Sequence, residues 1–178
     1  MFSLQNQRAK LINLNPRAEL HGEDKHLACD LKFEIKVSND VLSEFHPSLK
    51  SALYKKESDA AQGELIDDPS HLSGLRFPEL GPIKWGWEGA GYEVTMHIGV
   101  SGKGNAFLLD CEVDSFRFAC QEGGTVVVSF RVIAHPDAAD LGRMCELIQQ
   151  EVEITLTPPS ADDLLRKQMK EMEEEEAA

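Results

Sequence analysis

"DSFRFACQEGGTVVVSFRVIAHP", Asp114 to Pro136, holds the pattern that decides the fold. Phe116, Phe118 and Cys120 recur at every second position up to Glu122-Gly123-Gly124, and Val126, Val128, Phe130 and Val132 recur in the same way after it. Alternation on both sides of a Gly-Gly turn marks an antiparallel hairpin with one buried face. Just upstream, "AFLLDCEV" (Ala106–Val113) reads as a strand with Phe107, Leu109, Cys111 and Val113 inward. Between Val113 and Phe116 the inward parity slips by one residue. A chain that keeps both halves on one core across such a slip needs a bulge or a corner, here near Asp114. Bent strands of this kind build small closed barrels and sandwiches.

The neighbouring stretches follow the same rule. "YEVTMHIGV" (Tyr92–Val100) puts Tyr92, Val94, Met96, Ile98 and Val100 on one face, and "SGKGN" (Ser101–Asn105) turns it into Ala106–Val113. "HLACDLKFEIKVS" (His26–Ser38) sets Leu27, Cys29, Leu31, Phe33, Ile35 and Val37 against Asp30, Lys32, Glu34 and Lys36, a half-buried strand. "NDVLSEFHPSLKSALYKK" (Asn39–Lys56) has helical spacing of Leu42, Phe45, Leu49 and Leu53, with Pro47 forcing a break or a late start. Residues 57–82 carry Gly and Pro at short intervals and read as a long loop.

"HPDAADLGRMCELIQQ" (His135–Gln150) predicts a helix capped by Asp137, with Leu141, Cys145 and Ile148 inward. "EVEITLTPP" (Glu151–Pro159) is a last strand with Val152, Ile154 and Leu156 inward. Ser160 with Asp163 opens a capping pattern for an exposed helix ending in "EMEEEEAA". The expected fold is mainly β, all-β or α+β. It is a small antiparallel barrel of OB-like kind, or a sandwich, of five to six strands. One helix precedes the last strand. The expected units are a β-rich globular domain, 1–159, and an acidic helical tail, 160–178.

Net charge is −13, of which −4 lies from Ser160 onward and −9 in the rest. That field opposes duplex DNA or an anionic membrane as a partner for the whole surface, but leaves room for a local basic strip. No apolar run reaches the roughly 18–20 residues that span a bilayer, and the first residues lack the apolar core of a secretory signal. A cytoplasmic location is expected. Cys29, Cys111, Cys120 and Cys145 form no C-x-x-C pair, and the first three sit on apolar faces, as buried free thiols do. His21, His26 and Cys29 have a ligand-like spacing, but alternation sends His26 and Cys29 to opposite faces, so no metal is expected. "WGWEGAGY" (Trp85–Tyr92) is neither dinucleotide fingerprint nor phosphate loop. Neither a nucleophile with its base nor a carboxylate pair stands out, so a non-catalytic protein without cofactor is expected.

"PIKWGWEG" (Pro82–Gly89) offers the most specific local chemistry. Trp85 and Trp87 behind Lys84 could form a platform on which single-stranded bases stack. Lys103, Arg117 and Arg131 would add positive charge around it. The competing reading has both indoles capping the core from outside.

"DLKFEIKVSNDVLSEFHPSLKSALYKK" (Asp30–Lys56) and "FRFACQEGGTVVVSFRVIAHP" with "LIQQEVEITLTPP" (Leu147–Pro159) resemble segments of small uncharacterised proteins encoded by bacteriophages and prophages. In organisation alone, a β-body with an acidic end is similar to OB-fold single-stranded DNA-binding proteins. That resemblance implies an accessory protein of DNA replication or recombination that binds single-stranded DNA. It also implies that Glu171, Glu173, Glu174, Glu175 and Glu176 dock a partner or compete with DNA. Two alternatives stand beside it. One is an acidic mimic of DNA that inhibits a host protein, such as a host defence protein. The other is a structural β-protein of a phage particle, a tail component, which would self-associate as a homo-oligomer.

Overall fold

The computed structural model describes residues 1–22, 24–56, 72–99 and 102–161. Among the described residues nine strands run in the order β1 (Leu4–His21), β2 (Asp24–Ser38), β3 (Tyr54–Lys55), β4 (Gly74–Leu75), β5 (Ile83–Trp85), β6 (Gly89–His97), β7 (Ala106–Gln121), β8 (Thr125–Ala134) and β9 (Glu151–Thr157). Short helices α1 (Leu42–Phe45) and α2 (Leu49–Leu53) follow β2, and α3 (Ala138–Cys145) precedes β9.

Six strands close a ring. β1 pairs with β2, β2 with β8, β8 with β7, β7 with β6, β6 with β9 and β9 with β1, all antiparallel. β5 is an extra strand on β7. Within the ring β6, β7 and β8 form a meander and β9 returns by a long connection to lie beside β6. This is a Greek key. The fold is thus the small closed antiparallel barrel, OB-like in that sense, rather than the sandwich.

Two long strands make closure possible by bending. β7 pairs with β6 through its first half and with β8 through its second. The slip read between Val113 and Phe116 is a bulge, with Ser115 at φ +57° and the register shifting between Asp114 and Arg117. β1 does the same, pairing with β9 through Leu4–Lys10 and with β2 from Lys10 onward.

Three parts of the sequence reading change, the first two because of strand irregularities. A second bulge at Asp110, φ +50°, puts Leu109 and Asp110 together opposite Glu93. It reverses the parity read for the first part of this strand, while Cys111 and Val113 are inward as read. Ala106 and Leu108 point inward and are buried, and Phe107 and Leu109 are exposed. β1 escaped the sequence reading altogether, because its buried residues Leu4, Ala9, Leu11 and Leu14 follow no fixed period. Irregularities at Asn6, φ +46°, and between Leu11 and Asn13 break its alternation. On α3 the inward residues are Leu141 and Met144, continued by Leu147, at spacings of three; Cys145 and Ile148 are exposed.

Other expectations hold. α1 ends at Phe45 and α2 begins at Leu49, so the segment breaks around Pro47. Asp137 caps α3 by accepting from the Asp140 amide at 2.7 Å. Cys29 and Cys111 are buried, and burial pushes their thiols up to about 11 and about 12. Cys120 is only half-buried and, like the other three, free. The stretch 57–82, read as a loop, holds in its described part the two-residue strand β4 paired with β3; Val100, residues 57–71 and the expected helical tail from 162 onward lie outside the described residues. Among the described residues no helix is long and apolar enough to cross a membrane.

Ser115 tests the bent-strand account. A β-branched side chain is strained in the left-handed region, whereas glycine is at ease there. Ser115→Val should lower the unfolding free energy by about 1–3 kcal/mol, and Ser115→Gly should leave it unchanged or raised, as read by urea titration.

Candidate nucleic-acid interface

The six residues singled out for nucleic-acid contact fall into three groups. Trp85 and Trp87 are half-buried and turned toward the core. Their rings meet Phe45 edge-on at centroid distances of 6.5 and 6.3 Å. Trp85 also packs on Phe118 at 6.2 Å, and Trp87 on Phe116 at 5.5 Å and Tyr92 at 6.3 Å. Phe2 completes the cluster between Phe45, Phe116 and Phe130. The Tyr92 hydroxyl donates to the Phe2 carbonyl at 3.1 Å and ties the N-terminus to the barrel. The structure therefore has the tryptophans capping the core, with faces and edges already used by neighbouring rings. Lys103 lies in the turn between β6 and β7, at the opposite end of β7 from Arg117.

Lys84 and Arg117 are brought together. They are direct partners across β5 and β7, both outward and exposed. Like charges placed directly opposite one another destabilise a sheet, and an anion between them would relieve that cost. The same outer face continues across β8 and β2. Arg117 faces Ser129, Ser129 faces Glu34, and Lys32 and Lys36 flank Glu34 on the exposed side of β2. Ala119, Val127 and Ser129 keep the surface between these bases low.

Arg131 is the sixth residue, and it is already engaged. Its Nε donates to Asp114 at 2.8 Å, a second guanidinium nitrogen reaches the other carboxylate oxygen, and Asp30 is 3.8 Å away. The hydrogen bonds from Arg131 hold the Asp114 carboxyl below the usual carboxylate range. The pairing extends as a chain over four strands. Asp30 also takes Arg17, Arg17 reaches Glu19 at 2.7 Å, and Glu19 meets His135 at 3.0 Å. The His135 and Arg17 hydrogen bonds hold Glu19 below its ordinary range.

Counted over this face, Lys32, Lys36, Lys84, Arg117 and Arg131 stand against Asp30, Glu34, Glu112 and Asp114. Lys32, Lys36, Lys84 and Arg117 make no ion pair among the described residues. A strip with surplus positive charge thus sits on a chain of net charge −13. In the sequence Lys32 and Lys36 lie on the wet face of their strand, and nothing in the alternation joins them to Arg117. The joining depends on β2 pairing with β8, a contact between strands about 95 positions apart that alternation alone does not encode. Glu171, Glu173, Glu174, Glu175 and Glu176 lie outside the described residues.

His26 is exposed and Cys29 buried, opposite one another as expected. Among the described residues no three His, Cys, Asp or Glu side chains are grouped to hold a metal. One arrangement looks like a catalytic triad: His97 Nε2 lies 2.9 Å from Thr155 Oγ1, and Asn105 lies 3.3 Å from His97 Nδ1. The hydrogen bonds point the wrong way for it. Asn105 Oδ1 accepts from the Ile98 amide, so its nitrogen must face Nδ1. The ring proton then sits on Nε2 and is donated to Thr155, leaving the imidazole unable to deprotonate that hydroxyl. Comparison with family models, with curated proteins and with solved structures yields no match.

Two outcomes follow from this packing. A Cβ on Gly89 would lie 2.8 Å from both Trp87 Cη2 and Tyr92 Cε2. Gly89→Ala should therefore lower the melting temperature and shift tryptophan emission to longer wavelength as Trp87 is displaced. Asp114 has its folded value below its unfolded one, so the pair with Arg131 contributes at neutral pH and is lost on acidification through about pH 4 and below. Asp114→Asn should destabilise at pH 7 and flatten the fall in stability toward pH 3, measured by denaturation across that range.

Proposed function

We propose that this protein is a non-catalytic accessory of DNA metabolism that holds single-stranded DNA by its phosphates on the outer face of β5, β7, β8 and β2. The observation carrying this reading is the exposed Lys84–Arg117 pair, two cations set directly opposite each other and continued by Lys32 and Lys36. Backbone contacts of this kind give salt-sensitive binding with little sequence preference. Stacking on Trp85 and Trp87 has no part in it, since both indoles serve the core. The likeness to phage-encoded proteins and to single-stranded DNA-binding proteins with acidic ends supports the same reading. The glutamates 171 and 173–176 then act as a tethered polyanion, at an effective concentration on the millimolar scale for a short tether. They dock a replication or recombination partner when DNA displaces them. A cytoplasmic place of action goes with it.

The acidity of the remainder favours a second reading, an inhibitor that mimics DNA charge and occupies a host protein's nucleic-acid site. A labelled oligothymidylate titrated at low and moderate salt separates the two. Lys84→Ala with Arg117→Ala should weaken binding about tenfold and reduce the salt slope by about two, and Lys103→Ala should change neither. Deleting residues 171–178 should tighten binding and steepen its salt dependence. Absence of binding by either the full chain or the deletion at low salt would overturn the proposal. It would leave the inhibitor reading, in which the deletion weakens a protein contact instead.

A further inference from the structure

The bulge at Asp110 has a consequence beyond closing the barrel. It turns Phe107 and Leu109 out of the core, where they are 65% and 66% exposed. They lie two positions apart on the outer side of β7. Leaving such side chains in water forgoes their hydrophobic stabilisation, and the core closes without them through Ala106 and Leu108. Carboxylates surround the pair. Glu93 stands opposite Leu109 and Asp110, and Glu112 follows on the same strand, all exposed. Beyond them Glu88, Glu112 and Asp114 line one shallow depression. The first half of β7 therefore carries an apolar pair running into an acidic row.

Charge selects what can cover this strip. The chain's own end, from Ser160, holds seven acids against three bases and would be repelled. A second copy docked about a two-fold axis would bring the same carboxylates face to face. A cationic partner meets neither obstacle. Alternate side chains of an extended chain are about 6.5–7 Å apart, the pitch of Phe107 and Leu109 themselves. We propose that the first half of β7 is a docking strip for an extended, positively charged segment of another protein. Apolar side chains at alternate positions would seat on Phe107 and Leu109, with lysine or arginine against Glu93, Asp110 and Glu112. This strip is separate from Lys84 and Arg117 and does not depend on the nucleic-acid reading.

The test uses the full chain and a dye-labelled ten-residue peptide of alternating lysine and leucine, with a glutamate-for-lysine peptide as control. Fluorescence anisotropy should show saturable one-to-one binding of the lysine peptide only. Phe107→Ser with Leu109→Ser should weaken it at least tenfold while leaving the melting temperature unchanged or raised, because both residues are exposed. Asp110→Asn with Glu112→Gln should weaken it and reduce its salt dependence. Lys84→Ala with Arg117→Ala should leave it as in the parent protein. Undiminished binding by the serine variant, or equal binding of the glutamate peptide, would overturn the proposal. So would a homodimer in sedimentation velocity that Phe107→Ser and Leu109→Ser dissociate, since a second copy would then be the occupant.

Discussion

The bend of β7 at Ser115 is the constraint on which the barrel depends. A straight strand of sixteen residues would reach roughly 50 Å, far too long for one side of so small a barrel. β7 takes up β8 from Glu112, gives up β6 after Val113 and turns at the left-handed Ser115 just beyond, without interrupting its own chain. The inward row then reads Ala106, Leu108, Cys111, Val113, Phe116, Phe118, with a one-residue slip at each bulge. β1 repeats the device on the other side of the ring. Two bent strands turn what would be two stacked sheets into one closed one, with no long free edge across the seam.

The same bend gathers the aromatic cluster. Phe116 lies just after it and stacks on Phe130 at 5.7 Å, while Phe45 from α1 sits over Phe116 and Phe118 at 5.0 and 4.8 Å. The chain between β2 and β5 is thereby fastened at the barrel mouth. A second tether holds it at the β7–β8 turn. The Tyr54 hydroxyl lies 2.6 Å from the Thr125 carbonyl, and Asn39, the sole buried polar residue among those described, donates to Leu72 at 2.6 Å. Burial pushes the Tyr54 hydroxyl upward, as befits a phenol kept neutral to serve as a donor. Trp85 and Trp87 belong to this closure, which is why an aromatic pair that looks like a ligand platform in sequence packs inward in space.

What the sequence reveals divides along the same line. Wherever a strand keeps strict alternation, as from His26 to Ser38 or from Thr125 to Ala134, its inward face is legible in advance. The slip near Asp114 was legible too, because two regular stretches of opposite parity flank it. The bulge at Asp110 hid itself: Phe107 and Leu109 continue the parity of Cys111 and Val113, so the apolar pattern looks unbroken although the backbone is not. In β1 two irregularities within eighteen residues leave too few consecutive positions for any period to show. For the candidate site, alternation identified Arg117 and Arg131 as outward but could not tell them apart. Only cross-strand register shows that one faces Lys84 and the other faces Asp114.

Register also explains how a strongly acidic chain can carry a usable basic strip. Along β7 the outward residues are Phe107, Leu109, Asp110, Glu112 and Asp114 before the bend and Arg117 after it. Crossing Ser115 therefore reverses the sign of the exposed charge within a few positions. Asp114 lies at that boundary and pairs with Arg131, so the two charges offset each other where the acidic row meets the basic strip. Screening in water is effective beyond about 8–10 Å at ordinary salt, so two strips of opposite sign can coexist on neighbouring faces of so small a barrel. Their separation rests on the direction of one strand, and straightening that strand would merge the two surfaces and cancel both.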